Sequence, residues 1–437
     1  MKKDIAIKIL IAIGLIVIPF FTVPAYSSRE PKMAVAVVIA AAVVMLGLYR
    51  GGLKPFKNYW VLILLGYFIF CLWLAPMPSF PFKIQIGQKI LSFNIIGVMQ
   101  QNGVDIHNLL SWRFIGYAFL FALGLRTIAG IAVNKEDKYK FLSIVSWTGF
   151  LMAVYCVWQA VDIEQFCRLA GTLHATAPKV GGTMGQPTIV APFLAFTLPA
   201  ILYLRKHFKF VVVIAALCAT QSQVAMGAAV LGLLFYWGTM SKGKSILAGL
   251  IAITLITGTA IGFKTMHRQG IVGDGGRFGH WKNAVEQLIG KPKEIKRVKC
   301  ADPVEYQKQH IDNTFYDGET GEIIYYETRP RHALTGFGPG TFIYTYHTQN
   351  DNTMFEAHSE PVEFLWEVGF IGMSILLAAF VFLFSTCVYT PMNKAIIAGV
   401  VTMLICSGGT FVFHSGVYLF YTIVALGILS NREDSNV

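Results

Sequence analysis

Charge is what this chain has least of. Asp, Glu, Lys and Arg make up 14% of its 437 residues, where a soluble domain carries about a quarter. Hydrophobic residues make up 55% of the chain. Metal-ligand spacing is also missing: there is no His-x-x-x-His, no Asp-x-Asp and no cysteine cluster. His347 and His358 lie too far apart to share one helix face, so we expect no metal and no cofactor. An internal repeat is lacking too, which speaks against a transporter built from paired halves.

Long apolar runs are abundant. Stretches of roughly 17–25 residues, each able to cross about 30 Å of hydrocarbon, occur near 5–26, 33–49, 59–75, 110–133, 140–161, 188–204, 207–221, 223–240, 244–263, 361–386, 394–410 and 412–429. We therefore expect an all-α membrane protein of about twelve transmembrane helices. Nine spans fall in 1–263 and three in 361–437, and the large external (periplasmic) loop 264–360 separates the ninth from the tenth. The pair around Thr220-Gln221-Ser222-Gln223 is open to another reading, as one kinked helix or two half-helices. The start, Met1 to Tyr26, has the form of a signal peptide as well as of a first span.

Basic residues set the orientation. Lys2 and Lys3, Arg50 to Lys57, Lys135 to Lys140, Arg205 to Lys209, and Lys242 with Lys244 fall on one side if the spans alternate. Short loops rich in Lys and Arg stay cytoplasmic, so both termini are expected inside. The net charge of +12 is then topological and needs no nucleic-acid partner. Cys71, Cys156, Cys218, Cys387 and Cys406 read as packing residues within or beside spans. Cys167 and Cys300 fall in external loops, where a disulfide is chemically allowed.

Three long loops, 76–109, 162–187 and 264–360, share the external face. Residues 82–98 suggest an interfacial helix. In the large loop, Arg277 to Ile289 has helical spacing, and 312–327 reads as a hairpin turning at Gly321. The remainder is expected to be irregular, ending in Gly336-Phe337-Gly338-Pro339-Gly340-Thr341-Phe342. Glycines there allow backbone to approach a ligand closely.

Four segments carry a resemblance. They are Gly182-Thr183-Met184-Gly185-Gln186-Pro187, Gly276-Arg277-Phe278-Gly279-His280-Trp281, the glycine turn 336–342, and Ala357-His358-Ser359-Glu360 running on to Gly372. In this order they resemble the O-antigen ligase-like family of bacterial membrane glycosyltransferases, which includes O-antigen ligases, polysaccharide polymerases and O-oligosaccharyltransferases. Three departures stand out. Ser359 replaces the usual Asn after the histidine, Gln223 replaces an Arg after Ser222, and about forty residues from Lys293 to Leu334 are inserted.

The resemblance implies a metal-independent enzyme in the bacterial inner membrane. It would transfer a glycan from a polyprenyl-diphosphate donor to a lipid or glycan acceptor on the external face. Such chemistry must neutralise a diphosphate leaving group, and a guanidinium does so with two-pronged contacts. Arg277 is the candidate, against the plain reading of a solvated loop arginine. His358, just before a span, can take the acceptor's proton or stay charged and hold phosphate; it can also be an interfacial residue without chemistry. As substrate-binding candidates we take Trp281, Gly338, Gly340, Glu360, Glu363, Glu367 and Arg113. Glu360 and Glu363 equally suit a helix N-terminus by charge alone, whereas Glu367 lies a turn deeper. Arg113 and Arg126 can each simply snorkel. A polymerase joining lipid-linked units, a non-catalytic relative and a transporter are the competing readings.

Overall fold

Helix starts follow local capping chemistry. Asn134 and Asp137 form a reciprocal pair: the Asp137 N–H donates to Asn134 Oδ1 at 2.8 Å and the Asn134 N–H to Asp137 Oδ2 at 3.0 Å. The helix that follows therefore begins at Lys135, earlier than its apolar run. Thr390 caps another, its hydroxyl accepting from the Asn393 N–H at 3.2 Å, with Pro391 in the first turn. A computed structural model describes residues 2–22, 29–49, 66, 106–161, 180–240, 277–289, 293–299, 314–317, 322–327, 333–336, 342, 359–410, 412 and 415–430.

The described α-helices are α1 (Lys2–Phe20), α2 (Arg29–Tyr49), α3 (Ile106–Ala129), α4 (Lys135–Val161), α5 (Pro187–Tyr203), α6 (His207–Ala219), α7 (Gln223–Met240), α8 (Arg277–Leu288), α9 (Glu360–Thr386), α10 (Pro391–Ser407) and α11 (Gly416–Leu429). Helices occupy every expected span except 59–75 and 244–263, which lie outside the described residues apart from Gly66. Three are long and apolar enough to cross a membrane: Pro31–Tyr49 within α2, α4, and α9. The segments 82–98, Cys71, Cys167 and Cys300 also lie outside the described residues. Cys156, Cys387 and Cys406 are buried free thiols, and Cys218 is half-buried.

The chain divides into two compact units. In the first (1–64, 117–273 and 378–437), α5 is the centre, buried without interruption from Ile189 to Ile201 and packed by α4, α6, α7 and α10. A helix apolar on every side can only be stable in such a place. Small residues let the helices close in. A Cβ on Gly149 would strike Thr197 of α5, and one on Gly232 would strike Thr402 of α10. The remaining side of this unit is formed by α1, α2 and α11. Tyr421 of α11 donates to the Leu15 carbonyl and lies 3.2 Å from Thr148 Oγ1, so its hydroxyl is satisfied in the core. Outward faces are apolar as well: Ile5, Ile9, Ile13 and Val17 form an exposed stripe on α1.

Two tight corners join α5 to α6 and α6 to α7, each with a left-handed central residue, Arg205 and Gln221. At the first, the Lys206 N–H reaches back to the Ile201 carbonyl at 3.1 Å, closing the helix end. The chain thus breaks between α6 and α7 into two helices, each packed on α5. Arg126 is 7% exposed, in the last turn of α3, where a cation suits the helix dipole.

The second unit (65–116 and 274–377) contains α8, the first part of α9 and a three-stranded antiparallel sheet. Its strands are β1 (Lys293–Lys299), β2 (Thr314–Asp317) and β3 (Glu322–Glu327), in the order β1-β3-β2. Strands β2 and β3 pair as the hairpin read from the sequence. The strand β1 overturns the expectation that the rest of the loop is irregular. Its apolar residues, Ile295 and Val298, are spaced by three, which hides the alternation of a strand. The register shift between Glu294 and Lys296 restores the pairing, Lys293 meeting Glu327 and Lys299 meeting Glu322.

Candidate functional site

In the second unit, residues distant in sequence share one small core. Ala284 and Leu288, one turn apart on α8, bury against Phe342 and Trp366, with Val362 and Leu365 at the edge. Phe342 and Trp366 meet edge to face, centroids 5.8 Å apart at 77°. The spacing i, i+4 on α8 puts both contact residues on one stripe. Trp281, one turn earlier, is half-buried.

Ser359 precedes the first residue of α9 and is buried, its carbonyl accepting from the Glu363 N–H at 3.0 Å. Glu360, Glu363 and Glu367 follow on one face, and all three are buried, at 1%, 6% and 3% exposure. Glu360 and Glu363 lie in the first turn of α9, where acids suit the helix dipole as the sequence suggests. Glu367 Oε1 accepts a hydrogen bond from the Phe342 N–H at 3.4 Å. The carboxyl therefore holds the end of the glycine-rich segment to α9.

The other end is held by backbone alone. Helix α9 is broken at Gly369, which adopts φ 64° and ψ −171°. Into this break fits the turn at Ala333–Gly336. The Phe370 N–H donates to the Ala333 carbonyl at 2.9 Å, and the Ile371 N–H to the Leu334 carbonyl at 3.0 Å. A Cβ on Gly369 would run into the backbone of Leu334 and Gly336; one on Gly336 would run into Glu367 and Val368. At Gly336 and Gly369 the missing Cβ allows backbone-on-backbone packing. The expected single span 361–386 is accordingly interrupted, and the glutamates all precede the break.

Arg277 is the first residue of α8, and Arg113 lies within α3; their side chains lie outside the described residues. So do His358, Gly338 and Gly340 altogether. The described arrangement brings the Trp281 helix, Phe342 and the three glutamates into one unit. Buried carboxyls there can accept hydrogen bonds from amides or hydroxyls.

The motif Gly182–Pro187 belongs to the first unit, where it is a structural joint. Gln159 of α4 accepts from the Gly181 and Gly182 N–H groups at 3.1 and 2.9 Å. Thr183 donates its hydroxyl to the Pro19 carbonyl at 2.7 Å. Lys32, 1% exposed, donates to the Phe21 and Thr183 carbonyls at 2.5 and 2.9 Å. One turn thereby ties together α1, α2, α4 and α5. Sequence reasoning passed over Gln159 and Lys32, although a polar residue at the end of an apolar helix is itself a signal. Gln223, which stands where the resemblance implies an arginine, opens α7 and is exposed. No protein-family model matches the chain, and neither does any curated protein sequence.

Proposed function

We propose that this protein is a membrane glycosyltransferase of the O-antigen ligase-like kind. It transfers a glycan from a polyprenyl-diphosphate donor to a lipid or glycan acceptor at the external face of the bacterial inner membrane. One observation carries the reading: the helix headed by Arg277, the end of the glycine segment at Phe342, and the glutamate-bearing start of α9 pack on a common core of Ala284, Leu288, Phe342 and Trp366. Motifs 277–288, 333–342 and 359–372 are thereby parts of one unit rather than separate loops. In this reading about twelve helices span the membrane, both termini are cytoplasmic and 264–360 is periplasmic. Arg277 pairs with the diphosphate, while His358 takes the acceptor's proton as the glycosidic bond forms.

The test is a transfer assay with purified full-length protein and a polyprenyl-diphosphate-linked oligosaccharide. His358→Ala should insert and melt as the parent does, yet lose about 10²-fold or more in transfer, the range expected when a general base is removed. Near-normal turnover by the variant would remove His358 from the chemistry. No transfer by the parent with any lipid-linked donor would remove the enzyme reading.

A further inference from the structure

Helices α4 and α6 pack together, with a cluster of positive charge at one end of their seam. Lys209 is 9% exposed, and its ammonium sits 3.1 Å above the centre of the Trp147 ring and 5.7 Å from that of Phe150. Such a ring face stabilises a cation without neutralising it. The charged group that bears on Lys209 is a like charge, Lys206, and the exposed Arg205 precedes it in the same corner. Among the described residues no carboxyl group pairs with any of the three. The acids on the first turn of α4 are engaged elsewhere: Asp137 holds Lys8 and Glu136 holds Lys140, each at 2.6 Å.

From this cationic end an apolar track runs along the seam. On α4, Trp147, Leu151, Val154 and Trp158 recur at helical spacing and are all exposed. Phe208 and Val211 of α6 are exposed beside them, and the Phe208 ring lies 6.0 Å from that of Phe150. From Trp147 to Trp158 the track is about 16 Å long, at 1.5 Å per residue. A free anion has no use for such a surface; an acyl chain does.

We propose that this seam is a binding site for one anionic phospholipid. Lys206 and Lys209 hold its phosphate, Trp147 and Phe208 flank the glycerol region, and an acyl chain follows the α4 track. The site rests on the bundle being embedded in a membrane, with the basic corner toward the cytoplasmic leaflet, where anionic headgroups meet basic residues. Alkaline extraction of membranes tests that premise separately, because release of the chain without detergent would sink it.

The site itself is tested by native mass spectrometry of the full chain in detergent, titrated with phosphatidylglycerol, phosphatidylcholine or inorganic phosphate. Phosphatidylglycerol should bind more tightly than phosphatidylcholine and resist displacement by phosphate. Lys206→Gln, whose lysine is exposed, should weaken phosphatidylglycerol about fivefold, and Lys209→Gln at least as much. Lys140→Gln, whose lysine is paired with Glu136, should leave affinity unchanged. Equal binding of the two lipids, displacement by inorganic phosphate, or unchanged affinity in both Lys206→Gln and Lys209→Gln would each overturn the proposal.

Discussion

Two glycine turns, one in each compact unit, are gripped in the same way by different chemistry. In the bundle, the turn at Gly181–Gly185 has its amides held by the carboxamide oxygen of Gln159 and a carbonyl held by Lys32. In the second unit, Gly336 docks into the break of α9 and the Phe342 amide is held by a carboxyl oxygen of Glu367. Both rely on left-handed glycines, Gly182 and Gly185 in one and Gly336 and Gly369 in the other. The acceptor differs with its surroundings. Among densely packed apolar helices a neutral amide satisfies the backbone without the desolvation cost of a carboxylate. The second unit buries three carboxyls on one helix face.

The strongest way to break this parallel is at the backbone. Gly369→Ala puts a Cβ into the backbone of Leu334 and Gly336 at a positive φ. Neither neighbour can yield as a flexible side chain would, so we expect a loss of about 3 kcal/mol or more. Faster proteolysis between 277 and 360 in the full chain is the measurement. Cleavage at the parental rate would mean the turn does not depend on the break.

A smaller loss is expected in the bundle from Lys32→Met, which leaves the Phe21 and Thr183 carbonyls without their donor. About 2 kcal/mol fits buried acceptors left unsatisfied, read as a lowered melting temperature in detergent. An unchanged melt would show that the clamp is dispensable.

Exchanging the two acceptors sharpens the comparison most. Gln159→Glu keeps an oxygen near the Gly181 and Gly182 amides but introduces a carboxyl group into the bundle, and should cost about 2 kcal/mol. Glu367→Gln keeps the acceptor for Phe342 and should cost less than about 1 kcal/mol. Thermal unfolding of both variants decides between them. If Glu367→Gln proves the more damaging, Glu367 serves through its charge rather than as a hydrogen-bond acceptor.

Helix positions were legible because their signals are local. Apolar runs located α1, α2, α4 to α7 and α9 to α11 to within a few residues, and Pro391 and the Asn134–Asp137 pair explain where the ends moved. The helix beginning at Arg277 and the β2–β3 hairpin were readable from spacing and turn residues. Strand β1 was not, because a bulge masks its alternation and its partner lies more than twenty residues away in sequence. The glutamates were visible as a helical series, but their burial was not. That depends on Phe342, Ala284 and Leu288, residues brought to α9 only by folding.

The sequence by itself determined that the chain is dominated by apolar helices, since hydrophobicity and its period are properties of contiguous residues. Tertiary structure alone decided what the glycines are for. Whether a left-handed residue meets a ligand or another backbone depends on what folding places within a few ångströms, and at Gly336 and Gly369 each glycine is the other's neighbour.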